Sequence, residues 1–223
     1  MALSLQLADL PDSFPVFPLG GALLLPQGRL PLNIFEPRYL AMIEDCLGQG
    51  RYLGMIQPDK RLLAGASGPG LYRIGCLGRI TAFEETQDER YLITLTGVIR
   101  FTVIEEIAGE KGYRRIHAGL SGFADDLVPV SAPVFPFPRQ ELLNALLRYF
   151  AASKVEANWS AIDAMEDADL LTSLCMVCPF TTEEKQALLE AKTLPLRADA
   201  LKALLEIHSF DGDLPPSSTP RIN

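Results

Sequence analysis

Positive charge is in short supply. The 223 residues hold 20 Lys and Arg against 28 Asp and Glu, a formal net charge of −8, and the β-favouring first half and helix-favouring second half are both acidic. Sequence-independent grip on a phosphate backbone needs a basic face, so nucleic acid is excluded as a charge-driven partner. Long apolar runs are also missing. The richest early stretch, Leu19 to Leu25, is closed by Pro26 and Gly28 and falls far short of the roughly 20 residues that span a bilayer, so no membrane partner is expected. Met1 to Phe14 carries Asp9 and Asp12 and has no basic start or apolar core, unlike a secretory leader. Cysteine is limited to Cys46, Cys76, Cys175 and Cys178. Without a leader, these read as reduced thiols in a cytoplasm rather than a disulfide framework.

What is present suffices for a fold. Hydrophobic residues make up 48% and charged residues 22%, ordinary globular usage, and the length allows one large domain or two small ones. The chain reads as an N-terminal extension over 1–13, a β-rich part over 14–126, a Pro-rich connection over 127–138, a helical part over 139–210 and a polar tail over 211–223.

In the β-rich part, strands are expected at Phe14–Pro18, Ala22–Leu25, Arg29–Ile34, Tyr52–Gln57, Tyr72–Glu84, Arg90–Glu105 and Tyr113–Phe123. Tyr91, Ile93 and Leu95 continue in phase to Ile99, Phe101 and Val103, the two-residue period of a strand with one buried face. Gly97 falls on that face; lacking a Cβ, it lets a long strand bend as a sheet coils toward closure. One helix interrupts the strands. Pro37 suits a first helical turn, Glu36 complements the positive helix end, and Tyr39, Leu40, Ile43, Cys46 and Leu47 form an apolar stripe ended by Gly48 or Gly50.

Beyond the prolines, amphipathic stretches near Arg139–Ser153, Ile162–Val177, Glu183–Lys192 and Ala198–Ser209 predict helices. Thr181 with Glu184 makes a capping-box pattern, Pro179 stops the helix before it, and Pro195 marks a further break.

Four separated motifs then support a family reading: Phe14-Pro-Val-Phe-Pro-Leu; Pro31-Leu-Asn-Ile-Phe-Glu-Pro-Arg-Tyr39 with Met42; Gly75-Cys-Leu-Gly-Arg-Ile80; and Gly97-Val-Ile-Arg100. Together with Glu184-Lys-Gln-Ala-Leu-Leu-Glu190 they resemble, in order, the N-terminal substrate-binding domain of Lon proteases. The resemblance implies an α+β fold, a PUA-like coiled β pseudo-barrel with one inserted helix followed by a helical C-terminal subdomain. It implies a non-enzymatic protein- or peptide-binding module, with unfolded or peptide segments as partners and a protease as a further one. Gly65-Ala-Ser-Gly-Pro-Gly70 has glycines but no following Lys, so no phosphate loop is read here, and no cofactor or catalytic residue is expected. Fold likeness alone carries no activity.

Phe35, Glu36, Arg38 and Tyr39 have two readings. They are a strand-to-helix junction in which the aromatics pack and the charges tie loops, or they border a groove that accepts an extended peptide. Two alternatives of other classes stand beside this: an RNA-binding PUA-like module, against which the acidity argues, and a thiol or zinc protein using Cys175 and Cys178. The CxxC spacing can hold zinc or form a redox couple, yet it sits near a predicted helix C-terminus, with no second pair or nearby His, so no metal is expected. An adaptor for a separate protease and a dimer through a strand edge are also conceivable.

Overall fold

In the computed structural model of the chain, the described residues are 5–65, 68–109, 111–128, 138–153 and 158–210. The chain divides into two compact units, Met1–Pro129 and Val130–Asn223. Most of the expected connection (129–137) and the expected tail (211–223) lie outside the described residues, as do residues 1–4 of the extension.

The first unit is a six-stranded mixed sheet: β1 Ser13–Pro18, β2 Arg29–Ile34, β3 Tyr52–Ile56, β4 Ile74–Glu85, β5 Tyr91–Ile107 and β6 Arg114–Gly119. Strand order is β2-β5-β4-β3-β1-β6, and β5 also pairs with β6. That pairing closes five strands into a ring and leaves β2 attached to the first half of β5. The long strand makes this possible. Its start, from Tyr91 to Thr96, pairs with β2, while Thr102 to Ile107 pairs with β6.

The switch falls at Gly97. Between Leu77↔Ile99 and Gly78↔Gly97 the register slips, leaving Val98 as the extra residue of a bulge, and bulges sharpen twist. The bend expected at Gly97 is therefore present, with an added cause: a Cβ there would lie 2.0 Å from the Leu25 carbonyl oxygen. Leu25 comes this close because Ala22–Leu25 is not the strand its apolar run suggested. The segment is irregular, and Leu23, Leu24 and Leu25 are all buried, whereas a strand would turn alternate side chains outward. Gln27 N–H donates to the Gly97 carbonyl and Gly97 N–H to that of Gly28, so the chain is held across the bulge.

Inside the ring, Phe14, Val16, Ile56, Leu77, Ile99, Phe101 and Ile116 form the core, with the Phe14 and Phe101 rings edge to face at 5.2 Å. Burial of each such side chain is worth about 1.5–3 kcal/mol. Helix α1, Pro37–Gly48, begins on Pro37 as expected and buries Tyr39, Met42, Ile43 and Cys46. The Tyr39 ring packs on Phe17 of β1 at 4.4 Å between centroids.

The second unit is helical: α2 Arg139–Ser153, α3 Trp159–Ala164, α4 Asp167–Val177, α5 Thr182–Glu190 and α6 Leu194–Phe210. The stretch read as one helix, Ile162–Val177, is two. Met165 and Glu166 adopt extended backbone, and Arg139 fills the gap by donating to the carbonyls of Ile162, Asp163 and Met165 and to Asp167. Pro195 does not break a helix but lies in the first turn of α6, where a missing N–H costs nothing. The capping box forms as expected: Thr181 Oγ accepts from Glu184 N–H, and the Glu184 carboxylate accepts from Thr181 N–H at 2.8 Å.

Candidate functional site

Between the last residue of β2 and the first of α1 the chain has two residues to turn, and Pro37 fixes the helix start. Ile34 is buried before the turn and Tyr39 after it. The intervening Phe35 is left in solvent, 63% exposed. The four sequence-picked residues thus separate. Phe35 is an exposed aromatic on a rigid junction. Tyr39 is core on its Phe17 side, and burial pushes its hydroxyl above the usual phenol range. Glu36 and Arg38 pair beside it. Arg38 Nε and Nη2 donate to Glu36 Oε2 at 3.1 and 2.8 Å, and the guanidinium lies 4.5 Å from the Tyr39 ring centroid. Glu36 occupies the N-cap position of α1 but its side chain makes no capping bond there.

Arg38 also lines a cleft of about 580 Å³ whose other walls include Glu106, Gly109, Gly112, Tyr113 and Arg114. These residues come from the end of β5, the turn after it and the start of β6. Two interactions hold that turn. Asp45 of α1 accepts from Lys111 Nζ and Tyr113 Oη, both at 2.7 Å, and these donors keep its carboxyl below the usual range. Arg114 grips both oxygens of Glu106 through Nε and Nη2 and donates from Nη1 to the Pro69 carbonyl. Lys111 and Arg114 thus serve as a pair of tethers. Spacing could not reveal this, because Asp45 lies 66 residues from Lys111.

The thiols take no part. Cys46, Cys76, Cys175 and Cys178 are all buried and joined in no disulfide, and burial pushes Cys175 and Cys178 up to about 12, so neither is a thiolate at neutral pH. Among the described residues no group of three or more His, Cys, Asp and Glu could hold a metal ion. His208, at the end of α6, donates to Glu184 Oε1 at 2.8 Å beside the rings of Phe180 and Tyr149. His117 is half-buried in β6. No helix among the described residues is long and apolar enough to cross a membrane.

Comparison with known proteins gives one consistent result. Residues 13–206 match the model of the ATP-dependent protease La (LON) substrate-binding domain. The chain is 26% identical over 203 residues to Lon protease 2 of Myxococcus xanthus, covering 89% of this chain and 24% of that protein. It is likewise 26% identical over 203 residues to Lon protease of Anaeromyxobacter dehalogenans, covering 23% of it. The chain thus spans about a quarter of the length of these relatives. Among solved structures, a Lon N-terminal domain protein from Xanthomonas campestris superposes with a TM-score of 0.55 at 23% identity, over 86% of this chain and 96% of that one. The N-terminal domain of Mycobacterium avium complex Lon protease gives 0.58 at 16% identity, over 89% and 98%. These two likenesses bear on fold alone.

Proposed function

Since the chain belongs to the Lon substrate-binding domain family, we propose that it recognises other polypeptides by contact and makes or breaks no bond in them. The observation that carries this is Phe35: a large apolar ring held in water between two buried residues on a junction fixed by Pro37. Exposed aromatics on a rigid support are the usual anchors of polypeptide binding, and the adjacent cleft offers backbone and charged groups to an extended segment. Clients are unfolded or extended segments of other proteins. We place the chain in the cytoplasm, acting beside a protease in protein quality control; the family membership and the relatives that are Lon proteases support this.

A fluorescence-anisotropy titration with a labelled, reduced and carboxymethylated polypeptide tests the reading. Saturable binding that weakens several-fold in Phe35→Ala, with the labelled chain recovered uncut, is expected. A folded protein that shows no saturable binding, or one that cleaves the probe, overturns it.

A further inference from the structure

The arginines of the β unit do not hold their carboxylates in the same way. Arg61 takes both oxygens of Asp59 through Nε and Nη2, Arg100 does the same with Asp126, and Arg114 with Glu106. Arg38 is different. Its Nε and Nη2 both converge on one oxygen, Glu36 Oε2, whereas Arg61 forks both oxygens of a carboxylate at the same two-residue separation. The two-oxygen fork is the stronger geometry, so Arg38 holds a poorer version of the bond its neighbours make.

The pair is also replaceable. Arg38 and Glu36 side chains are 49% and 46% exposed, and an exposed pair of this kind contributes little to folding. Arg38 does not depend on Glu36 for its position: the guanidinium rests on the Tyr39 ring, which is itself packed on Phe17. It lines the cleft with Arg114, whose side chain is only 10% exposed and whose three donor atoms are committed to Glu106 and Pro69.

We infer that this cleft reads a carboxylate on the client polypeptide, and that Glu36 is a resident substitute for it: the incoming carboxylate takes both donors of Arg38 in a fork, and Glu36 swings into water. This rests on the polypeptide-binding reading above and adds a specificity to it, for clients with an acidic side chain beside the apolar residue that meets Phe35. The net charge of −8 works against any acidic ligand at long range, so a preference for acid cannot arise from general attraction.

The experiment uses two labelled, disordered peptides of one aromatic-rich sequence that differ by a single Glu or Gln, titrated against the full chain at low and moderate salt. The Glu peptide is expected to bind about five- to tenfold tighter. Glu36→Gln should tighten the Glu peptide further and leave the Gln peptide unchanged. Arg38→Lys, which keeps the charge but loses the fork, should bring the two peptides close together, with an unchanged urea midpoint certifying the fold. Equal binding of the two peptides by the wild type overturns the inference and leaves the polypeptide-binding reading standing. So does an Arg38→Lys variant that weakens both equally. Binding of neither peptide, together with no binding of the carboxymethylated polypeptide, overturns both.

Discussion

Arg100 and Asp126 are joined by three hydrogen bonds: Nε and Nη2 of the guanidinium donate to the two carboxylate oxygens at 2.9 and 2.8 Å, and the Arg100 backbone N–H donates to one of them at 3.0 Å. Arg100 belongs to the closing strand β5, and Asp126 to a 3-10 turn over Ser121–Leu127. The Arg100 side chain is buried and that of Asp126 nearly so, and the guanidinium lies 4.8 Å from the Phe123 ring centroid. Removing one partner leaves a buried charge uncompensated. Asp126→Ala should therefore lower stability by about 3 kcal/mol, measured as a fall in the urea midpoint, whereas Arg100→Met with Asp126→Leu should cost much less than the single change.

The hydrogen bonds that the Glu184 carboxylate accepts from Thr181 and His208 make part of the stability of the helical unit depend on pH. Burial raises the Glu184 carboxyl, but the Thr181 amide, His208 and the Thr181 hydroxyl together outweigh it, so the group sits below its ordinary value of 4.5. A carboxyl with a lowered folded pKa contributes stability that is complete above its unfolded value and is lost as pH falls through the folded one. Urea midpoints should hold steady from neutrality to about pH 5 and drop below it. Glu184→Gln should start lower at pH 7 and show a shallower drop. Thr181→Ala, which removes the cap, should cost about 1 kcal/mol.

The thiols should be silent in the native state. With all four buried and Cys46, Cys175 and Cys178 raised to about 12, a colorimetric thiol reagent at pH 8 should find no rapidly reacting cysteine until urea is added, when four react. Stoichiometric zinc, or a thiol that reacts within seconds in the folded chain, would contradict this.

Two glycines should respond in opposite ways. A Cβ at Gly97 meets the backbone oxygen of Leu25 at 2.0 Å, and backbone cannot rotate away, so Gly97→Ala should destabilise by at least about 2 kcal/mol. At Gly48, the last residue of α1, a Cβ meets nothing within 4 Å and φ is not positive. Gly48→Ala should raise stability by about 0.5–1 kcal/mol. Thermal melts of the two variants decide both.

The parts legible in the sequence were those governed by local chemistry. The alternation through Tyr91–Val103, Pro37 at the helix start and the Thr181–Glu184 box each depend on neighbours a few residues apart, and each is in place. Ala22–Leu25 was misread because an apolar run shows that a segment is buried and not how; its burial comes from the backbone crossing over Gly97. The break between α3 and α4 was hidden because the cation that satisfies it, Arg139, lies more than 20 residues upstream. At the junction, the sequence brought Phe35, Glu36, Arg38 and Tyr39 to notice. It could not show that Tyr39 is core while Phe35 is exposed, nor that the turn carrying Lys111 and Tyr113 is lashed to Asp45 beside them.

The most direct test of the account is a hydrogen-exchange footprint of the full chain with and without saturating carboxymethylated polypeptide. The account predicts slowed exchange concentrated in the peptides that cover residues 34–40 and 106–114, with the helical unit from α2 to α6 unchanged. Protection confined to the helical unit, or none in those two segments despite saturable binding, would contradict it.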